Sequence, residues 1–152
     1  MRHGSRTMKL PAAGDYARLA QWRHLLRRFL VFSEAEALRG GLTARQHQAL
    51  LAIKGFGGRA LLTTGELAAY LVIRHHSAVG LVDRLVSKGL VRRRSAAGDR
   101  RRVMLELTAR AELLISRLAS THQEELETLA PLLQRLLRHF NASPGHASRR
   151  GR

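Results

Sequence analysis

Apolar residues near the start of the chain recur three or four positions apart. Leu19, Trp22, Leu26, Phe29 and Leu30 would line one face of a helix over about residues 15–38, and Gly40-Gly41 ends it. Thr43 with Gln46 three residues on has the spacing of a capping box, in which each side chain accepts from the other residue's free backbone N–H. A second, short helix is therefore predicted to about Ile53, with Gly55-Phe56-Gly57-Gly58 as the loop after it. Thr63 and Glu66 repeat the capping spacing and open a third helix through Leu71. After a break at residues 72–74, the stretch 75–87 is helical again. Ala78, Leu81, Val82, Leu85 and Val86 form its inner face, opposite His76, Asp83, Arg84 and Ser87. Gly89 stands where a helix-ending glycine is expected.

The period then drops to two. Residues 90–94 and 101–107 read as short strands joined by Ser95-Ala96-Ala97-Gly98-Asp99, a turn-forming run. Val103, Leu105 and Leu107 alternate with Met104 and Glu106, the pattern of a half-buried strand. Helical spacing returns from Thr108 to near Phe140, and Pro131 fits either the first turn of a last helix or a kink in one long helix. The expected class is mainly α (α+β). Two short helices, a tight connection and a hairpin make a winged helix-turn-helix at about residues 43–107, flanked by N- and C-terminal dimerisation helices at about 15–38 and 109–140. Residues 15–140 form one unit on this reading, with a flexible stretch at 1–14 and a disordered basic tail at 141–152. The flanking helices carry Leu19, Trp22, Phe29, Leu113, Leu114, Leu118, Leu129, Leu132, Leu136 and Leu137, more apolar surface than one small domain covers. A two-fold partner is the commonest way to bury it, so a homodimer is expected.

Charge adds a partner to this picture. The 152 residues hold 27 Lys+Arg against 11 Asp+Glu, a net charge of +16. The excess lies before residue 104 and in the tail, while residues 104–140 are close to neutral. Such an imbalance implies a polyanion, and charge alone does not choose among DNA, RNA and an acidic membrane surface. No apolar run approaches the roughly 20 residues that cross a bilayer, and no signal-peptide stretch follows the basic start, so no membrane partner and a cytoplasmic location are expected. The lack of cysteine excludes disulfides, thiolate chemistry and a thiol-oxidation switch. There is no nucleophile elbow, phosphate-binding glycine loop or paired carboxylate motif, so neither an enzyme nor a cofactor is expected. His75 and His76 are adjacent and point about 100° apart on a helix, which favours groove contacts over chelation. His24, His47, His122 and His139 include no pair at the i,i+4 spacing of a helical metal site, so no metal is expected either.

A recognition helix buries one face on its own domain and offers a polar face to the major groove. Here that polar side supplies Arg74, His75, His76, Ser77, Gly80, Arg84 and Lys88. The residues near the helix start should meet base edges, and Arg84 and Lys88 should lie nearer phosphate. Asp83 reads as a member of a structural ion pair, since neighbours on a helix do not face each other and Arg84 is no partner for it. The hairpin over residues 91–103 carries Arg92, Arg93, Arg94, Arg100, Arg101 and Arg102 against the single Asp99. Those guanidinium groups repel one another unless an anion offsets them, and a minor groove with its flanking phosphates is such an anion.

Leu67-Ala68, then Val79-Gly80-Leu81-Val82-Asp83-Arg84-Leu85-Val86, Lys88-Gly89-Leu90-Val91, Asp99-Arg100-Arg101 and Leu107-Thr108, in this order, resemble the MarR family of bacterial regulators over about residues 43–114. The resemblance implies a triangular dimer with interlocked terminal helices that binds a near-palindromic double-stranded DNA operator. It implies that Arg101 enters the minor groove while Asp99 braces it. It also implies a repressor released by a small aromatic or anionic effector held between the dimer helices and the winged domain. Arg18, Arg23, Arg27 and Arg28 could host such an anion or lie over DNA, and Trp22 and Phe29 suit either the dimer core or the effector pocket. The chain departs from the family pattern at Arg74, often a serine or threonine cap, at Gly80, often a groove-facing arginine or serine, and at Ala111, often glycine. The alternative reading is a non-specific DNA-architectural or RNA-binding basic module. An RNA-binding sheet would expose aromatics where these strands expose arginines.

Overall fold

Eight elements follow in chain order: α1 (Ala13–Arg39), α2 (Ala44–Phe56), β1 (Leu62–Thr63), α3 (Thr64–Tyr70), α4 (His75–Ser87), β2 (Val91–Ala96), β3 (Asp99–Leu107) and α5 (Ala109–Ala142). They come from a computed structural model that describes residues 12–56, 61–96 and 99–142. Both predicted capping boxes close. Thr43 Oγ1 accepts from the Gln46 N–H at 3.2 Å, and Gln46 Oε1 accepts from the Thr43 N–H at 3.0 Å. At α3 the matching distances are 3.2 Å for Glu66 N–H to Thr63 Oγ1 and 2.7 Å for Thr63 N–H to Glu66 Oε2. The mainly helical fold with a small antiparallel sheet is the winged helix-turn-helix that the sequence predicts.

The chain divides into two compact units. In the winged unit (Phe32–Glu124) the strands order as β1-β3-β2, all antiparallel. Leu42, Leu50, Leu67, Leu81, Leu85 and Leu105 are fully buried at its centre, where each leucine contributes about 1.5–3 kcal/mol over remaining exposed. Four details differ from the sequence reading. Helix α2 extends through Gly55 and Phe56, where the Phe56 ring packs edge-on against Tyr70 at 5.1 Å; residues 57–58 of the expected loop lie outside the described residues. Strand β1 is two residues long, too short to show a period, and becomes a strand only by pairing with β3, Leu62 opposite Leu105. The hairpin strands reach further, taking in Ser95, Ala96, Asp99 and Arg100, with a register irregularity between Ser95 and Ala96. On β3 Met104 is buried alongside its neighbour Leu105 while Val103 is exposed. As the middle strand, β3 is covered more fully than strict alternation assumes.

Histidines that the sequence scatters meet in this unit. His47 is 1% exposed and its Nε2 has no partner. Its ring lies 4.7 Å from that of His122, which Phe32 meets edge-on at 5.6 Å. His122 Nδ1 lies 2.6 Å from the Leu118 carbonyl, to which it donates, and its Nε2 lies 2.8 Å from Ser33 Oγ. Burial first, and His122 second, push the His47 imidazole down to about 4 from its usual 6.5.

The second unit comprises, among the described residues, residue 12, residues 13–31 of α1 and residues 125–142 of α5. Leu25, Leu129 and Leu136 are buried together, with Trp22, Phe29, Leu132 and Leu133 packed half-buried around them. Of the α1 stripe read from the sequence, Trp22 and Phe29 pack here. Leu25, which it omitted, is the buried residue, and Leu19, Leu26 and Leu30 are exposed. Leu118, Leu129 and Leu136 are likewise buried within the chain and do not await a partner. Helix α5 runs unbroken through Pro131, which selects the one-helix alternative; the proline has no N–H to give the carbonyl one turn back. The remainder of the expected flexible ends, residues 1–11 and 143–152, lies outside the described residues. Among the described residues no helix is long and apolar enough to cross a membrane.

Candidate nucleic-acid interface

Helix α4 buries Ala78, Leu81, Val82 and Leu85 and leaves Arg74, His75, His76, Ser77, Arg84 and Lys88 exposed. Its N-cap, Arg74, is extended and makes no side-chain cap hydrogen bond. The first-turn N–H groups are thus left without a side-chain acceptor, at the end of the helix whose dipole favours an anion. Gly80 is partly buried on the same stripe, and the Arg84 guanidinium folds back to within 3.5 Å of where a Gly80 Cβ would stand. At the other end Lys88 Nζ donates to Gly41 O at 3.0 Å and to Gln46 Oε1 at 3.3 Å, tying α4 to the start of α2. Two of its three donors are engaged in this way.

The wing's charge is partly offset from inside the chain, which corrects the expectation that its arginines must find their anion elsewhere. Arg93 Nη2 lies 2.6 Å from Asp83 Oδ1, so the ion pair expected of Asp83 joins the wing to α4. Arg102 Nη2 lies 3.3 Å from Glu66 Oε1, joining the wing to α3. Arg94 Nη1 meets Glu106 Oε1 at 3.5 Å, a diagonal cross-strand contact. The Thr63 backbone N–H and hydroxyl, with Arg102 as the lesser cause, hold the Glu66 carboxyl below the usual carboxylate range. Arg92 is exposed. Asp99, Arg100 and Arg101 enter only as strand backbone, their side chains lying outside the described residues. The roles of Glu66 and Glu106 as partners of wing arginines were missed. Glu66 already had a local capping role, and Glu106 becomes a partner only through the hairpin register.

The winged unit also contains a cavity of about 410 Å³ between the α1–α2 turn, the end of α4 and the start of α5. Leu42, Leu90 and Leu114 give it apolar walls, and Lys88 and Arg110 give it two cations. Arg110 donates to Lys88 O at 3.4 Å, so both cations rest on neutral oxygens. Among the described residues no three His, Cys, Asp or Glu side chains group as metal ligands would.

Comparison with known proteins agrees with this architecture. A family model described as the MarR family matches residues 40–102, from the α1–α2 turn to the wing. The chain is 28% identical over 109 residues to the HTH-type transcriptional regulator PecS of Dickeya dadantii, the match spanning 71% of this chain and 66% of that protein, just under two thirds of its length. The crystal structure of MepR, a transcription regulator of the Staphylococcus aureus multidrug efflux pump MepA, superposes with a TM-score of 0.66 at 21% identity, covering 77% of this chain and 83% of that one. A mutant MepR bound to an oligodeoxyribonucleotide superposes with a TM-score of 0.62 at 22% identity, covering 76% and 82%. With the motifs of α4 and the wing in the same order, the chain is similar to the MarR family over residues 40–102.

Proposed function

We propose that this chain is a transcriptional regulator that binds double-stranded DNA sequence-specifically as a homodimer and catalyses no reaction. The observation that carries this reading is the exposed, uncapped start of α4 (Arg74, His75, His76, Ser77) on the same unit as an arginine-bearing hairpin. In this reading α4 enters the major groove. His75, His76 and Ser77 read base edges, and Gly80 leaves room for close approach. Arg74, Arg84 and the remaining donor of Lys88 hold phosphate. Arg94, Arg100 and Arg101 serve the wing, with Arg101 in the minor groove and Asp99 bracing it, as the family resemblance implies. A relative bound to an oligodeoxyribonucleotide supports this reading. The exposed Leu19, Leu26, Leu30, Leu126 and Leu137 on α1 and α5 support two-fold pairing through those helices.

Repression relieved by a small aromatic or anionic effector is the regulatory half of the proposal. The cavity holding Lys88 and Arg110 against leucine walls is the observation that favours it. Such a regulator works in the cytoplasm. The test is selection of bound sequences from a random duplex pool, followed by light scattering of the free protein. The expected result is a near-palindromic site with half-site centres about 10 base pairs apart and twice the chain mass in solution. Inserting about five base pairs between the half-sites should abolish tight binding by turning them to opposite faces of the duplex. A monomer that binds all duplexes alike would overturn it.

A further inference from the structure

Helix α3 ends with two converging hydrogen bonds: the Val72 N–H donates to Ala69 O at 3.2 Å and the Ile73 N–H to Ala68 O at 3.0 Å. This ending requires a left-handed residue just after the C-cap, Leu71, and Val72 stands there with φ 52°. Glycine suits such a position because it has no Cβ to strike the neighbouring carbonyl, and a β-branched side chain suits it least. Among the described residues Val72 is the one non-glycine with positive φ. Nothing among the described residues accounts for a valine here. The residue is 90% exposed, and the packing at this turn comes from its neighbours Leu71 and Ile73, against the winged core.

A strained apolar side chain held out in water points to a contact made only in a complex. We propose that Val72 is an apolar DNA-contact residue that packs on a thymine methyl or a deoxyribose face of the bound duplex. The proposal rests on the reading of the winged unit as a DNA-binding unit. Val72 is three residues from His75, at most about 11 Å of chain, so a duplex whose base edges meet the start of α4 lies beside it. The same turn carries Arg74 and the uncapped helix start, which would grip the adjoining phosphate. Thymine methyls and deoxyribose carbons are the apolar surfaces a duplex offers there.

Three variants of the full chain separate this role from a structural one. Val72→Gly removes both strain and side chain, Val72→Asn suits the left-handed conformation with a polar group, and Val72→Leu keeps apolar bulk without the branch. Glycine and asparagine should melt at or above the wild-type temperature yet bind the selected duplex about tenfold more weakly, while leucine stays within about twofold of wild type. Replacing thymidine by deoxyuridine around the contacted step then separates the two surfaces. A wild-type loss that Val72→Gly does not share marks the thymine methyl, and no loss marks deoxyribose. Undiminished binding by Val72→Gly, or weaker binding matched by an equally lowered melting temperature, would overturn the inference. Failure of the wild-type chain to bind any duplex would instead overturn the DNA-binding reading itself.

Discussion

His47 makes the stability of the winged unit depend on pH in a calculable way. The imidazole is neutral in the fold, with its pKa pushed from 6.5 down to about 4, and titrates normally once unfolded. Between these values the unfolded chain binds a proton that the folded chain refuses, so acid favours unfolding. Stability is fully present above about pH 6.5, is lost as pH falls toward 4, and loses nothing further from this group below that. At about 1.4 kcal/mol per pK unit the depression amounts to about 3 kcal/mol, a large part of the 5–15 kcal/mol typical of a domain. His47→Leu removes the titrating group and the unpartnered Nε2 while nearly conserving volume. Guanidinium unfolding at pH 7.5, 6.5, 5.5 and 4.5 should show a steep acid loss in the wild type and a shallower one in the variant. At pH 7.5 the variant should be as stable or more so, because burying an unsatisfied polar atom costs about 1–3 kcal/mol. Parallel pH curves for the two proteins, or a variant clearly weaker at pH 7.5, would refute the reasoning.

Thr63→Ala should lower stability by about 1 kcal/mol in the same unfolding assay, since it removes one arm of the α3 capping box. Arg101→Ala should weaken duplex binding by about 1–3 kcal/mol in a fluorescence titration while the melt stays unchanged; equal affinity would remove the wing arginine from the interface. His76→Ala and Ser77→Ala should relax preference at particular operator positions, whereas Arg84→Ala should weaken all duplexes alike and reduce the salt slope by about 1. A base-preference profile unmoved by the first two changes would assign the reading of sequence to another element.

How much of this was legible in advance depended on whether each interaction is local. Both capping boxes and the inner face of α4 were readable because their determinants recur three or four residues apart, and the hairpin because its strands flank one short turn. The α1 stripe was incomplete, holding Trp22 and Phe29 but not Leu25, because a face is completed only by what it packs against. Leu25 is buried by Leu129 and Leu136, more than a hundred residues away. β1 was invisible for the same reason, as was the meeting of His47 on α2 with His122 on α5. At the candidate interface the residue types and order on α4 were in the sequence. The carboxylates that reach the wing, and the strain at Val72, arise only in the folded chain.

The three wing ion pairs bear on how binding should respond to salt. A cation that meets phosphate displaces the small ions condensed on DNA, and each such neutralisation steepens the salt dependence by about 0.9 in the logarithmic slope. Arg93, Arg94 and Arg102 already hold Asp83, Glu106 and Glu66. For them a phosphate would be a competitor to a tethered carboxylate, and the exchange leaves a carboxylate to be resolvated or repelled by the duplex. The chain thus carries some of its own counterions. Its salt slope should fall short of what the arginine content of the wing suggests, and the missing steps should return when those carboxylates are neutralised.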